Sequence, residues 1–311
     1  MKKIFKAIAV LSATALVAVS CNVEAVSTIF DPSTVEAENS VSFVQSVVVD
    51  QEIPAATATY SIPMARSIAT EALTVKLTST LPAAIECPAS ITFAAGESDA
   101  TLVLNISNMS VGETFKGKIS VNLDDAAKKV AFSNYEVSCT FAKAYTWEDI
   151  GEGEFYDGLA LQPNDTDLGI IKVKVEKAVG FDRWRVYNLF PKDNVIAAWD
   201  ETYYSGGATE MIEVWANGDE DDTVSYSPVV WATGLFYKAL GTNTYIYYYL
   251  PSAYSTQIAD EDAYNCFVDD AGKVIQFYVA QAIENTNSWF GRGAKYLSLP
   301  GGPDLESFLS E

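Results

Sequence analysis

Residues 169–178 read GIIKVKVEKA. Ile171, Val173 and Val175 alternate with Lys172 and Lys174, the period-2 pattern of a strand with one buried and one solvated face. The pattern recurs along the chain. In ALTVKLTST (72–80), Leu73, Val75 and Leu77 share one face and Thr74, Lys76 and Thr78 the other. SITFAAGESDATLVLNIS (90–107) reads as strand, Ala-Gly-Glu turn, strand. SVSFVQSVVVD (40–50), FKGKISVNL (115–123) and NYEVSCTF (134–141) add further strands, and Pro63 in ATYSIPMARS (58–67) suggests an edge or a bulge. These make about seven short strands before residue 143, the count expected of a β-sandwich.

The second half is also strand-rich: RWRVYNLF (183–190), TEMIEVWANG (209–218), YSPVVWATGLFYKAL (226–240), NTYIYYYLP (243–251) and NCFVDDAGKVIQFYVAQAI (265–283), the last with a DDAGK hairpin turn. Amphipathic helical spacing is nowhere sustained, and only GPDLESFLSE (302–311) suggests a short helix, with Pro303 in its first turn. The expected fold class is all-β, an N-terminal sandwich over 29–142 followed by a mainly antiparallel β domain over 145–311. Composition marks the boundary. All six tryptophans and fifteen of the seventeen tyrosines lie beyond residue 144.

The chain has no histidine. That removes Ser-His-Asp and Cys-His nucleophile arrangements and every imidazole metal site, leaving carboxylates as the available acid–base groups. The net charge of −21 repels phosphate backbones and argues against nucleic acid as a partner.

The first twenty residues have a basic start, MKKIFK, and an apolar stretch, AIAVLSATALVAV, shorter than the roughly 20 residues that span a bilayer. The stretch ends in AVSC at Cys21. This resembles the lipobox of bacterial lipoproteins, which implies a signal peptide over 1–20, a lipidated Cys21 and a tether over 21–28. Ordinary signal cleavage after Ser20 is the alternative, and both leave Cys21 first. The implied location is the outer membrane, held by lipid, with the leaflet open. Loss of Lys2, Lys3 and Lys6 takes the net charge to −24. Cys87, Cys139 and Cys266 remain. Their wide spacing does not suit metal or redox use, and Cys87 with Cys139 either pair or stay as free buried thiols.

SITFAAGESDATLVLNI resembles a phrase common in the immunoglobulin-like and Calx-beta-like modules of Bacteroidota lipoproteins. Calcium-binding members use acidic clusters, whereas here only Asp124 and Asp125 are adjacent. WEDIGEGEFYDG (147–158), followed by Trp184, Arg185, Val186, Asn188 and Phe190, resembles the start of uncharacterised C-terminal domains in the same lipoproteins. The first phrase reads as the opening turn of the second domain, with Gly151 and Gly153 in tight backbone and Trp147 as an anchor. Its carboxylates do not suit phosphate, and no cofactor is implied. Calcium is chemically allowed, but neither this spacing nor PNDTDLG (163–169) nor NGDEDDTV (217–224) matches a calcium loop. Asp222-Thr223-Val224 resembles the short O-glycosylation signal of Bacteroidota.

The aromatics carry the functional hint. Tyr245, Tyr247 and Tyr249 share one face of a strand, and Ile246, Tyr248 and Leu250 the other. Exposed rings stack on sugars. Together with Trp184, Trp199 and Trp215 they are the candidate ligand-binding residues, each to be weighed against a place in the core. The leading expectation is a non-catalytic, lipid-anchored binding or accessory protein for glycans. The alternatives are a carboxylate-dependent glycoside hydrolase and an adhesion or fimbria-like subunit. The last is disfavoured because the first arginine, Arg66, falls inside a strand.

Overall fold

A computed structural model describes residues 40–122, 134–158, 169–199, 201–236, 245–283 and 289–310. Cys21, Asp124, Asp125 and residues 163–168 lie outside the described residues. The chain divides into two compact units, Met1–Tyr145 and Thr146–Glu311.

The first unit is a two-sheet sandwich. Its described strands are β1 (Val41–Phe43), β2 (Val47–Ile53), β3 (Thr59–Arg66), β4 (Leu73–Ser79), β5 (Ser90–Phe93), β6 (Asp99–Asn105), β7 (Thr114–Val121) and β8 (Glu136–Lys143). One sheet has the order β1-β3-β6 and the other β2-β8-β7-β4-β5, with β2 and β8 parallel. The alternating residues fill one core. Phe43, Ile62, Met64 and Leu102 come from the first sheet, and Val75, Phe93, Ile119 and Phe141 from the second. The 90–107 phrase crosses between sheets, because β5 pairs with β4 while β6 pairs with β3. Pro63 sits in the middle strand, one residue past the end of the β1 pairing at Met64, where its missing N–H breaks no ladder.

Arg66 ends β3 and is buried. Its guanidinium donates to the carbonyls of Glu97, Glu71 and Ala94 at 2.8, 2.6 and 2.6 Å and lies 5.5 Å from the Phe93 ring centroid. It therefore holds the turn between β5 and β6. Cys87 and Cys139 are free thiols, the latter buried. Burial pushes the Cys139 thiol up to about 11, with Cys87 adding to the shift.

The second unit is a near-closed barrel of antiparallel strands. Its strands are β9 (Trp147–Tyr156), β10 (Ile170–Ala178), β11 (Arg183–Tyr187), β12 (Met211–Ala216), β13 (Val224–Ser227), β14 (Val230–Phe236), β15 (Tyr245–Tyr249), β16 (Cys266–Phe267), β17 (Val274–Ile283) and β18 (Trp289–Ser298). The order runs β13-β12-β11-β10-β9-β18-β17-β15-β14, with β16 against β17. Residues 204–209 cover the outer edge of β14, with Ser205 N–H to Gly234 O at 2.7 Å and Thr209 N–H to Ala232 O at 2.9 Å. They lead into β12 and so nearly close the circle. Phe155, Val173, Val175, Trp184, Trp231, Tyr248 and Phe277 fill the interior. The outside of β10–β12 carries Lys172, Lys174, Arg183, Arg185 and Glu213. This apolar-inside, charged-outside arrangement is the reverse of a membrane barrel's.

The structure corrects the reading of WEDIGEGEFYDG as a turn, for Trp147–Tyr156 is a ten-residue strand. Its glycines serve strand geometry instead. The register slips opposite Val175/Glu176, where Gly151 takes φ +104, a bulge that favours glycine. A Cβ at Gly153 would stand 2.5 Å from the Ser298 carbonyl oxygen, so glycine admits the neighbouring strand. Asn188 also has a left-handed φ of 59°, a conformation asparagine tolerates, and its N–H bonds Glu210 O at 2.8 Å.

Three α-helical turns are described: α1 (Lys192–Trp199), α2 (Pro251–Tyr254) and α3 (Leu305–Phe308). The Asp304 carboxylate caps α3 through Ser307 N–H at 3.0 Å. Glu154 of β9 accepts from Leu305 N–H at 2.8 Å and from Lys172 Nζ, docking the C-terminus on the barrel. The Leu305 N–H, then Lys172, hold the Glu154 carboxyl below its ordinary 4.5. A depressed carboxyl stabilises the fold fully above its unfolded value, and the contribution disappears as pH falls through the folded value. Glu154→Gln should therefore flatten the acid limb of stability below about pH 4.5 while leaving a folded barrel. Urea titrations across that window check this.

Candidate functional site

The strand β15 separates its residues as the alternation requires. Ile246 and Tyr248 are buried in the barrel, while Tyr245 is exposed and Tyr247 and Tyr249 are half-buried on the outside. The outward rings form a ladder. Tyr247 and Tyr249 have centroids 6.2 Å apart, and Tyr254 of α2 extends the row at 5.7 Å from Tyr249. Small residues lie beside it, with Ala232 opposite Tyr247 on β14. Gly206 and Gly207 take φ of 73° and 72° and put no side chain into the loop after Ser205. A cavity of about 320 Å³ results, lined by Ser205, Gly206, Gly207, Gly234, Tyr245 and Tyr247. It is a groove with aromatic rings on one wall and backbone polar groups on the other. That combination is chemically suited to a polyhydroxylated ring, with an apolar face for the rings and hydroxyls for the backbone groups.

The structure disperses the other sequence candidates. Trp184 is 5% exposed and belongs to the barrel core, its edge against Phe267 at 5.9 Å. The reading of Trp184 as part of a surface platform is corrected accordingly. On β11 it alternates with Arg183 and Arg185, and the inward parity fell to the indole. It floors a mouth of about 850 Å³ at one end of the barrel. Asp182 and Asp269, two of the acids around this mouth, are engaged locally. Asp182 pairs with Lys177 at 2.9 Å, and Asp269 accepts from the N–H groups of Lys273 and Val274 at 2.7 and 2.6 Å. Trp215 points outward from β12 and lines a separate cavity. Trp199 ends α1, and its side chain is outside the described residues.

The outer face of β9–β12 stacks charges on rings. The Arg185 guanidinium lies 4.0 Å from the Trp147 ring centroid and that of Arg183 lies 4.2 Å from Trp215, with Glu213 bonded to both arginines. Trp147 thus anchors its strand through Arg185. Among the described residues, no group of three or more aspartate, glutamate or cysteine side chains converges as a metal site. Asp219 of the NGDEDDTV stretch accepts from Thr223 N–H at 2.8 Å and from its hydroxyl, a turn-closing role. The Thr223 hydroxyl also meets Asn217 Nδ2 at 2.8 Å.

Sequence reasoning missed the most unusual group. Asp157, the last acid of the WEDIGEGEFYDG phrase, pairs with Lys295 Nζ at 2.7 Å with both side chains essentially unexposed. Lys295 lies opposite Phe277 on the inward face of β18, its Nζ 3.7 Å from the Tyr248 ring centroid. Burial pulls the Lys295 ammonium below its ordinary value and Asp157 pulls it back up. Burial, then the Asp157 carboxylate, hold the Tyr248 hydroxyl well above the phenol range. Nothing in the local sequence distinguishes Asp157 from its solvated neighbours, because its partner is 138 residues away.

Removing one member of such a pair leaves an uncompensated buried charge. Asp157→Leu and Lys295→Met should each lower unfolding free energy by about 3–5 kcal/mol. The Asp157→Leu/Lys295→Met double variant should lose less than the two single losses combined. Denaturant titration of the four proteins measures the coupling.

No protein-family model matches the chain, and no curated protein matches it. Among solved structures it is similar to a Bacteroides ovatus protein of unknown function, with 9% identity and a TM-score of 0.30 over 87% of this chain and 99% of that one. It is also similar to a "putative carbohydrate binding protein" of Bacteroides ovatus ATCC 8483, with 8% identity and a TM-score of 0.28 over 83% of this chain and 74% of that one. Likeness at this level assigns this chain neither a family nor a ligand.

Proposed function

We propose that this is a lipid-anchored cell-envelope protein that binds glycans through the outward tyrosines of β15. The observation that carries the reading is the groove itself. Tyr245 and Tyr247 stand over a 320 Å³ cavity whose opposite wall is the Ser205–Gly206–Gly207 backbone. A sugar ring offers apolar C–H faces to the rings and hydroxyls to the backbone groups. Tyr247 is held by strand alternation and by its ring contact with Tyr249, so little ordering entropy opposes its use in binding. The sequence around Cys21 supports the anchor, and the outer membrane is the compartment it implies. The sandwich then serves as a spacer between the lipid and the binding unit.

Retention of the purified protein on polysaccharide affinity gels tests the binding. Tyr247→Ala should lower affinity for a retained polysaccharide about tenfold, with the barrel still folded, since truncating an aromatic contact removes roughly 1–2 kcal/mol. Retention on no polysaccharide, or an undiminished Tyr247→Ala, would contradict the reading. The anchor is tested separately. Cys21→Ala should abolish incorporation of labelled fatty acid and release the protein from membranes.

A further inference from the structure

Asp157 follows the last residue of β9 and Lys295 lies within β18, so their pair joins the first strand of the barrel to the last. Lys295 Nζ stands 2.7 Å from Asp157 Oδ1, with side-chain exposures of 0% and 1%. The carboxyl carbon is one bond beyond that oxygen, which brings nitrogen and carbon close to reacting distance. The Tyr248 ring covers the nitrogen, its centroid 3.7 Å away. Phe277, opposite Lys295 on β17, belongs to the same buried core. This packing keeps solvent from the pair. Without solvent, an ammonium and a carboxylate are driven toward the neutral amine and acid. Burial lowers the Lys295 ammonium in that direction, while Asp157 opposes it.

We propose that Asp157 and Lys295 condense inside the folded barrel to an isopeptide, an amide between the two side chains. The ammonium first passes a proton to the carboxylate. The Lys295 nitrogen lone pair then forms the N–C bond at the Asp157 carboxyl carbon. The carbon–hydroxyl bond breaks, and the hydroxyl leaves as water with a proton from the nitrogen. Ammonium and carboxylate become amide and water, nothing is oxidised or reduced, and no co-reactant is needed. The Tyr248 hydroxyl, held protonated by burial and then by Asp157, donates to the oxygen that gains negative charge during attack. The dry core disfavours the reverse hydrolysis. The ion pair sets the register as the chain folds. The amide adds what the pair does not, a closed loop across the 138 residues between the partners that constrains the unfolded chain.

The test is proteolysis of the purified, urea-denatured full chain followed by tandem mass spectrometry. A branched peptide should join the Asp157 segment to the Lys295 segment, lighter than the two together by one water. The denatured chain should also migrate faster on a reducing gel than Lys295→Met, which cannot form the link. Recovery of the two segments only as separate peptides from the folded parent protein would overturn the proposal, whatever the variants do. A branched peptide that persists in Lys295→Met or Asp157→Leu would overturn the assignment of the bond to these residues. Sampled through time after cell-free synthesis, Tyr248→Phe should link about a hundredfold more slowly than the parent, as loss of one such donor does. An equal rate would remove the phenol from the step.

Discussion

The barrel depends on the meeting of its first and last strands. The β9–β18 seam is short, with Phe155 opposite Leu297 at its centre and only three paired positions. Just past it, Asp157 and Lys295 pair inside the barrel. A slip of one residue along either strand would turn one of these charges outward and leave the other buried alone. The pair is therefore a poor source of net stability and a strong specification of register. Tyr248, beneath the ammonium, ties the third strand β15 into the same arrangement. Gly153, which lets Ser298 approach, belongs to the same seam.

With the register fixed, parity along β15 divides the aromatics. Tyr248 goes inward to Lys295, and Tyr245, Tyr247 and Tyr249 go outward. Inside, Tyr226, Trp231 and Phe277 pack with centroids 5.1 to 5.6 Å apart, within a core that also holds Val173, Val175, Ile212 and Val214. Outside, the same residue types form the ladder beside the glycine loop. The aromatic enrichment of the second half thus has two causes, a core and a surface, separated by one residue of phase.

The alternating phrases made the all-β class and the two-faced nature of β15 legible, because side-chain parity is a local property. Pairing partners were not legible. That β5 and β6 lie in different sheets, or that Asp157 meets Lys295, is decided by contacts far apart in sequence. The glycines of WEDIGEGEFYDG suggested a turn because a bulge and a close strand approach demand the same residue as a tight turn does. Trp184 and Trp215 looked alike as candidates, yet the first faces inward and the second outward. Single-residue alternation with arginines did not reveal which face was the core. The groove's far wall, at Ser205–Gly207, is formed by a connection whose path the sequence does not encode locally.

Under the proposed function the outward face of β15, and not the aromatic interior, meets the ligand. Hydroxyl-radical footprinting with and without a retained polysaccharide addresses it directly. Protection confined to Tyr245, Tyr247 and Tyr249, with Tyr248 and Trp231 unchanged, is the predicted result. Unchanged labelling of those three tyrosines alongside protection elsewhere on the barrel would contradict it.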